Sequence, residues 1–121
     1  MKPTLTDVFG ATATQTSTQL IINKADLTGL VATGTNSGQA LLVAIIKLAS
    51  INLSPTLRDG DTTVTPAIVA NPDQLVALTL NPNPTSSSRL INGSYVYYLR
   101  EGVTVDLDQP FSPSINPEDY E

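Results

Sequence analysis

The densest apolar pattern in the chain lies in "NSGQALLVAIIKLASINL", residues 36–53. Leu41, Ile45, Leu48 and Asn52 fall on one helical stripe, and Leu42, Ile46, Ala49 and Leu53 on the next, with Lys47 and Ser50 as interruptions. Recurrence at three- and four-residue intervals predicts a helix. A helix this apolar is expected to be buried on most of its sides. Asn36 or Ser37 supplies a capping oxygen, and Gln39 stands three residues after Asn36, as in a capping box. "LLVAII" is also compatible with a strand, but the run is long for one. The pattern predicts a buried helix over about 38–52, with Leu41, Leu42, Ile45, Ile46 and Leu48 as its core side chains.

Elsewhere the period is two. "TQLIINKADL" (18–27) has the β-branched density of a strand. "TTVTPAIVA" (62–70) reads as another, and Pro66, which has no N–H for a ladder, places it at an edge or a bulge. "DQLVALTLNP" (73–82) alternates with apolar side chains on both faces. In "GSYVYYLREGVTVDLDQ" (93–109), Tyr95, Tyr97 and Leu99 share one face and Val96, Tyr98 and Arg100 the other. Glu101-Gly102 marks a bulge or tight turn, after which Val103, Val105 and Leu107 oppose Thr104, Asp106 and Asp108. "TGLVATGTNSG" (28–38) and "NPNPTSSS" (81–88) read as loops, and Asp59-Gly60 as a turn between short extended pieces. The predicted fold class is α+β: an antiparallel sheet of four or five strands, one buried helix, and an extended arm at each end.

The ends divide the chain into an N-terminal arm (1–17), a single domain (18–109) and a Pro-rich tail (110–121). Residues 1–17 are rich in Thr and Ala with two apolar anchors, Val8 and Phe9. In the tail, Pro110, Pro113 and Pro117 stiffen the backbone towards polyproline II and reduce the entropy lost on docking. Phe111, Ile115 and Tyr120 are its spaced anchors. These five side chains are the candidate partner-binding residues, and the tail is expected to bind neighbours more than its own core.

Composition narrows the function. Six bases are scattered among eleven acids, for a formal net charge of −5. Without clustered cations, neither nucleic acid nor an anionic membrane is an expected partner. The chain has no cysteine and no histidine, which removes thiol chemistry and the usual acid–base group near neutral pH. "MKPTLTDVFG" has no apolar stretch of a secretory signal, and the longest apolar run reads as too short and interrupted for a membrane span. "RDGD" (58–61) provides two carboxylates without the distal Glu of a calcium loop, so it reads as a turn. Asp106 and Asp108, two apart on an open strand face, read as edge protection rather than a catalytic pair. Ser86, Ser87 and Ser88 have no base to activate them, and no phosphate-binding glycine motif is present. No catalytic residue, metal ligand or cofactor is assigned.

A Thr/Ser/Asn/Pro-rich, cysteine-free domain with an arm at each end resembles the small accessory proteins of tailed-phage virions. These are capsid cement or decoration proteins and neck or tail accessory subunits. "INKADLTGL", "GQALLVAIIKLA" and "INPEDY" are also similar to stretches in small proteins of cyanobacteria and their phages. The resemblance implies a non-enzymatic homo-oligomer, made in a host cytoplasm and incorporated in a virion. There it would clamp neighbouring major capsid proteins or other structural subunits. The rival readings are a small acidic inhibitor of a host protein and a peptide-binding module. The acids are spread too thinly for the dense array of a nucleic-acid mimic.

Overall fold

Helix α2 forms where the spacing places it, over Gly38–Asn52. In this computed structural model, which describes residues 1–81, 83–108 and 114–121, Ser37 is its cap, with the hydroxyl accepting the N–H of Ala40 at 3.1 Å. Asn36 instead holds the preceding loop, accepting the Thr33 N–H and donating to the Val31 carbonyl. The helix is less buried than its composition implies. Ala44 and Ala49 are buried, while Leu41, Ile45, Ile46 and Leu48 are half-buried and Leu42, Val43 and Ile51 are exposed. An apolar circumference demands cover on all sides, and this chain covers only part of it.

Helix α2 stops at Leu53 because Ser54 caps a new helix, α3 (Pro55–Asp59), with proline in its first turn. Taken as one run, Gly38–Asp59 is long and apolar enough to cross a membrane. The break at Leu53–Ser54 leaves α2 about 22 Å long, short of the ~30 Å hydrocarbon layer.

The N-terminal residues are not the extended arm expected from their composition. Leu5–Phe9 form helix α1 through a reciprocal capping box. The Thr4 N–H donates to the Asp7 carboxylate at 2.7 Å, and the Asp7 N–H to the Thr4 hydroxyl at 3.3 Å. Helix α1 packs on α2, where the Asn52 amide donates to the Asp7 carbonyl at 2.8 Å. Gly10 and Ala13 are buried behind it, and a short ribbon of β1 (Thr14–Gln15) and β2 (Leu20–Ile21) follows. Asp26 ties that segment down by accepting both the N–H and the hydroxyl of Thr12.

The α+β class holds, but the strands do not join in one sheet of four or five. The described strands form three two-stranded antiparallel sheets: β1–β2, β3–β6 and β4–β5. Strand β3 is Val76–Leu80, β4 Thr85–Ile91, β5 Ser94–Arg100 and β6 Val103–Leu107. The last two sheets are successive parts of one long ribbon. Leu80 pairs with Val103, and the ladder resumes with Thr85 opposite Arg100. Four residues, Asn-Pro-Asn-Pro, intervene on one side and two, Glu101-Gly102, on the other; the proline content explains why the ladder loses step there. The predicted strand at 62–70 is reduced to a single bridge, Asp61 with Ile68. Pro66, which has no N–H to donate, interrupts the rest of the segment.

The inner half of the ribbon is rooted in the body. Ala77 is fully buried, and the Leu78 N–H donates to the Leu53 carbonyl at 2.8 Å. Buried Gln74 donates its amide to the carbonyls of Ser54 and Val76. Arg58, at the end of α3, reaches Asp106 and Asp108 on the β6 side at 3.3 and 3.9 Å.

Several acids stabilise the fold in their charged form. Hydrogen bonds from Thr4 hold Asp7 below the ordinary carboxylate range, those from Thr12 do the same for Asp26, and those from Thr63 for Asp61. The Arg58 guanidinium lowers Asp59. A carboxyl whose folded pKa is depressed stabilises fully above its unfolded value, near ~3.9, and loses that contribution as pH falls through the folded value. The melting temperature is therefore expected to be flat from neutral pH down to about 5 and to decline modestly below about 4, since these carboxylates are solvent-exposed. A thermal melt series checks this, and Asp26→Asn is expected to lower the plateau while making the acid limb shallower.

Candidate functional site

The outer half of the ribbon, β4–β5, leaves the body. Its two strands are closed by Asn92-Gly93, both at positive φ (51° and 81°), which is the two-residue turn matched to strand twist. Seven residue pairs at about 3.4 Å each give an arm ~24 Å long. Among the described residues no backbone hydrogen bond from another element reaches either edge.

Cross-strand pairing sorts its side chains. Leu90 faces Tyr95, Ser88 faces Tyr97 and Ser86 faces Leu99, so these six lie on one face. The large apolar members of that face are the most exposed in the arm: Leu90 64%, Tyr95 66%, Tyr97 78% and Leu99 75%. The opposite face carries Ile91, Val96, Tyr98 and both arginines, Arg89 and Arg100. Arg89 lies over the Tyr98 ring, 5.0 Å from its centroid, and partly covers it. A solvated face of a two-stranded ribbon is normally polar, and a lone hairpin is marginally stable in water. Here the wettest face is the most apolar and carries no charge.

The surface area gives the same picture for the whole chain. Its accessible surface is 8920 Å². A folded monomer of 12.8 kDa is expected to expose about 6,300 Å².

The predicted anchors meet different fates. Val8 and Phe9 are half-buried on the short N-terminal helix, packed within their own chain. Phe111 lies outside the described residues. Ile115 is exposed. Tyr120 is half-buried in a 3-10 turn, Pro117–Tyr120, beside a recess of about 400 Å³ lined by Lys2, Val8, Leu53, Leu75 and Val76. Burial pushes its hydroxyl pKa up, and the charges of Asp119 and Asp108 add to the effect. Lys2 donates to the backbone oxygen of Glu121 beside it. The end of the tail therefore straps its own domain, because Tyr120 finds an apolar recess between the N-terminal segment and β3 within reach.

The tested acid pairs are occupied locally. The Arg58 side chain, 19% exposed, is gripped by Asp59 through two bonds of 2.9 and 3.1 Å, besides Asp106 and Asp108. A guanidinium thus stands where these three carboxylates converge, and its pKa is raised, chiefly by the Asp59 hydrogen bonds. Asp61 accepts the N–H and hydroxyl of Thr63 in a local turn. The Ser86–Ser88 run lies in strand β4, which the sequence reading assigned to a loop. The missed signal is Asn92-Gly93, two residues of turn chemistry between runs of equal length.

Removing residues 117–121 is expected to lower stability, because Tyr120 loses its apolar contacts and the recess opens. Urea titration of the truncated chain measures this; an unchanged midpoint would show that the strap carries no load. Compared with protein-family models, with curated proteins and with solved structures, the chain matches none.

Proposed function

We propose that the chain is a non-enzymatic structural subunit of a virion, of the capsid cement or decoration kind, which stabilises contacts between major capsid subunits. The observation that carries the assembly reading is the β4–β5 arm, whose most apolar face is its most exposed. Apolar surface of that kind marks a site of protein contact. The virion setting comes from the resemblance of the sequence. The arm replaces the two termini as the main contact element in this reading, since Val8 and Tyr120 are packed within their own chain.

The acidic-inhibitor alternative is weakened by the use made of the acids. Asp7, Asp26, Asp59 and Asp61 are bound to neighbouring residues of the chain, and Asp106 and Asp108 lean on Arg58. A charge mimic needs its carboxylates outward and unpaired.

In purified particles, mass spectrometry is expected to find the chain in hundreds of copies. Leu99→Asp sits on the exposed arm face, so it is expected to leave the melting temperature of the isolated chain within a few degrees of wild type. The same change is expected to reduce particle occupancy at least tenfold and to let capsids release DNA at a lower temperature. Absence of the chain from particles would reject the virion reading, and full occupancy by the variant would reject the arm as the attachment element.

A further inference from the structure

We infer that Asn92-Gly93, at the tip of the β4–β5 arm, is a site of self-modification, where the asparagine converts without an enzyme to aspartyl and isoaspartyl products. The conversion does not depend on what the arm binds, and it changes both the charge and the backbone length of the tip.

The step needs only water. The Gly93 amide nitrogen, its proton taken by solvent hydroxide, attacks Cγ of the Asn92 side chain. A bond forms between that nitrogen and Cγ, the Cγ–Nδ2 bond breaks, and Nδ2 leaves as ammonia after accepting a proton from water. Water then opens the resulting cyclic imide. Cleavage at the side-chain carbonyl gives aspartate, and cleavage at the main-chain carbonyl gives isoaspartate, in which the chain runs through Cβ and Cγ. Nothing is oxidised or reduced. The reaction is fast where the next residue has an N–H, where it has no side chain in the way, and where the asparagine amide is free to turn.

Of the eight asparagines in the chain, Asn92 alone meets all these conditions. Asn71, Asn81, Asn83 and Asn116 precede proline, which has no N–H to attack with. Asn23, Asn36 and Asn52 precede Lys, Ser and Leu, and each is held. The Asn23 side chain accepts the Ala25 N–H at 3.0 Å, Asn36 bridges Thr33 and Val31, and the Asn52 amide donates to the Asp7 carbonyl at 2.8 Å. Asn92 is exposed, and its side chain has no hydrogen-bond partner among the described residues. Nothing lies within 4 Å of where a side chain on Gly93 would begin. The Asp59-Gly60 pair shows the contrast, since its carboxylate is bound by Arg58 and the Gly60 N–H donates to the Thr56 carbonyl at 2.8 Å.

The fold also lets the tip open. Ile91 with Ser94 is the last pair of the ladder, and no other element among the described residues bonds to either edge. An uncovered two-stranded hairpin is marginally stable, so its end frays at low cost. Each opening frees the Asn92 backbone to bring the Gly93 nitrogen onto Cγ. The products then act on the arm. Residues 85–100 hold Arg89 and Arg100 and no acid, so either product places the arm's first carboxylate at its tip. The isoaspartyl form adds one methylene to the backbone between Ile91 and Ser94. A two-residue turn with positive φ at both positions does not fit that length, and the Leu90–Tyr95 pair beside it loses its register. The tip of the exposed apolar face thus ages with time and with rising pH.

The test follows the purified full chain in warm buffer at neutral and mildly alkaline pH, with and without denaturing urea. Peptide mass spectrometry reads the mass gain of an amide-to-acid change at each asparagine. Conversion in the native chain is expected to be at least about tenfold faster at Asn92 than at Asn23, Asn36 or Asn52, and within about 30-fold of the Asn92 rate in urea. Isoaspartyl methyltransferase with labelled S-adenosylmethionine is expected to mark the aged wild-type chain. Asn92→Gln, whose longer side chain closes the ring far more slowly, is expected to stay unmarked with its circular dichroism retained, because Asp59-Gly60 is held shut. Equal conversion at the held asparagines, a larger native slowing at Asn92, or marking of Asn92→Gln to the wild-type level would each overturn the proposal. The mass measurements on the wild-type chain decide it even if the variant does not fold.

Discussion

The structure turns on the joint at Leu53. There α2 ends, Ser54 starts α3, and the Leu53 carbonyl accepts the N–H of Leu78 from the inner half of the long ribbon. Gln74, buried beside it, spends its amide on Ser54 and Val76. A buried polar group without partners would be costly, and here each bond also joins two elements. The joint fixes the direction in which the ribbon leaves, and with it which faces of α2 stay uncovered. Arg58 reinforces it from the other side, pulling Asp106 and Asp108 towards α3.

This body has a thin core. Its buried apolar residues are small or medium: Ala13, Leu27, Ala44, Ala49, Leu53 and Ala77. No large side chain among the described residues is completely enclosed. The local hydrogen bonds of Thr4 with Asp7, Thr12 with Asp26 and Thr63 with Asp61 hold segments in place that apolar packing does not. Three of the eleven acids thus keep the chain's own loops in order.

Helix α2, strands β3 and β6, and the irregularity at Glu101-Gly102 were legible in the sequence because each follows a period or a turn signature. Helix α1 was not, since "LTDVF" is too short to show a period; its sign is the spacing of Thr4 and Asp7. Strand β4 escaped because "TSSSRLI" has no apolar alternation, and its pairing is imposed by the Asn92-Gly93 turn and by β5. The single sheet was expected because several segments alternate with period two. Alternation reports that a face is to be covered and does not say by which chain. The same ambiguity explains α2, whose apolar circumference was read as burial in its own domain. Of the C-terminal anchors, Tyr120 adheres to its own body and Ile115 is exposed, while Phe111 lies outside the described residues.

The lost step between Leu80–Val103 and Thr85–Arg100 gives the arm the character of a lever. Ladder bonds on both sides of it are regular, so a ribbon under load bends at that point first. With ~24 Å of paired strand beyond it, a tilt of roughly ten degrees carries the tip through about 4 Å. Such travel is comparable to the spacing of neighbouring strands, while the tyrosine-bearing face remains intact as a unit. An arm hinged in this way reaches contacts at slightly unequal distances without refolding.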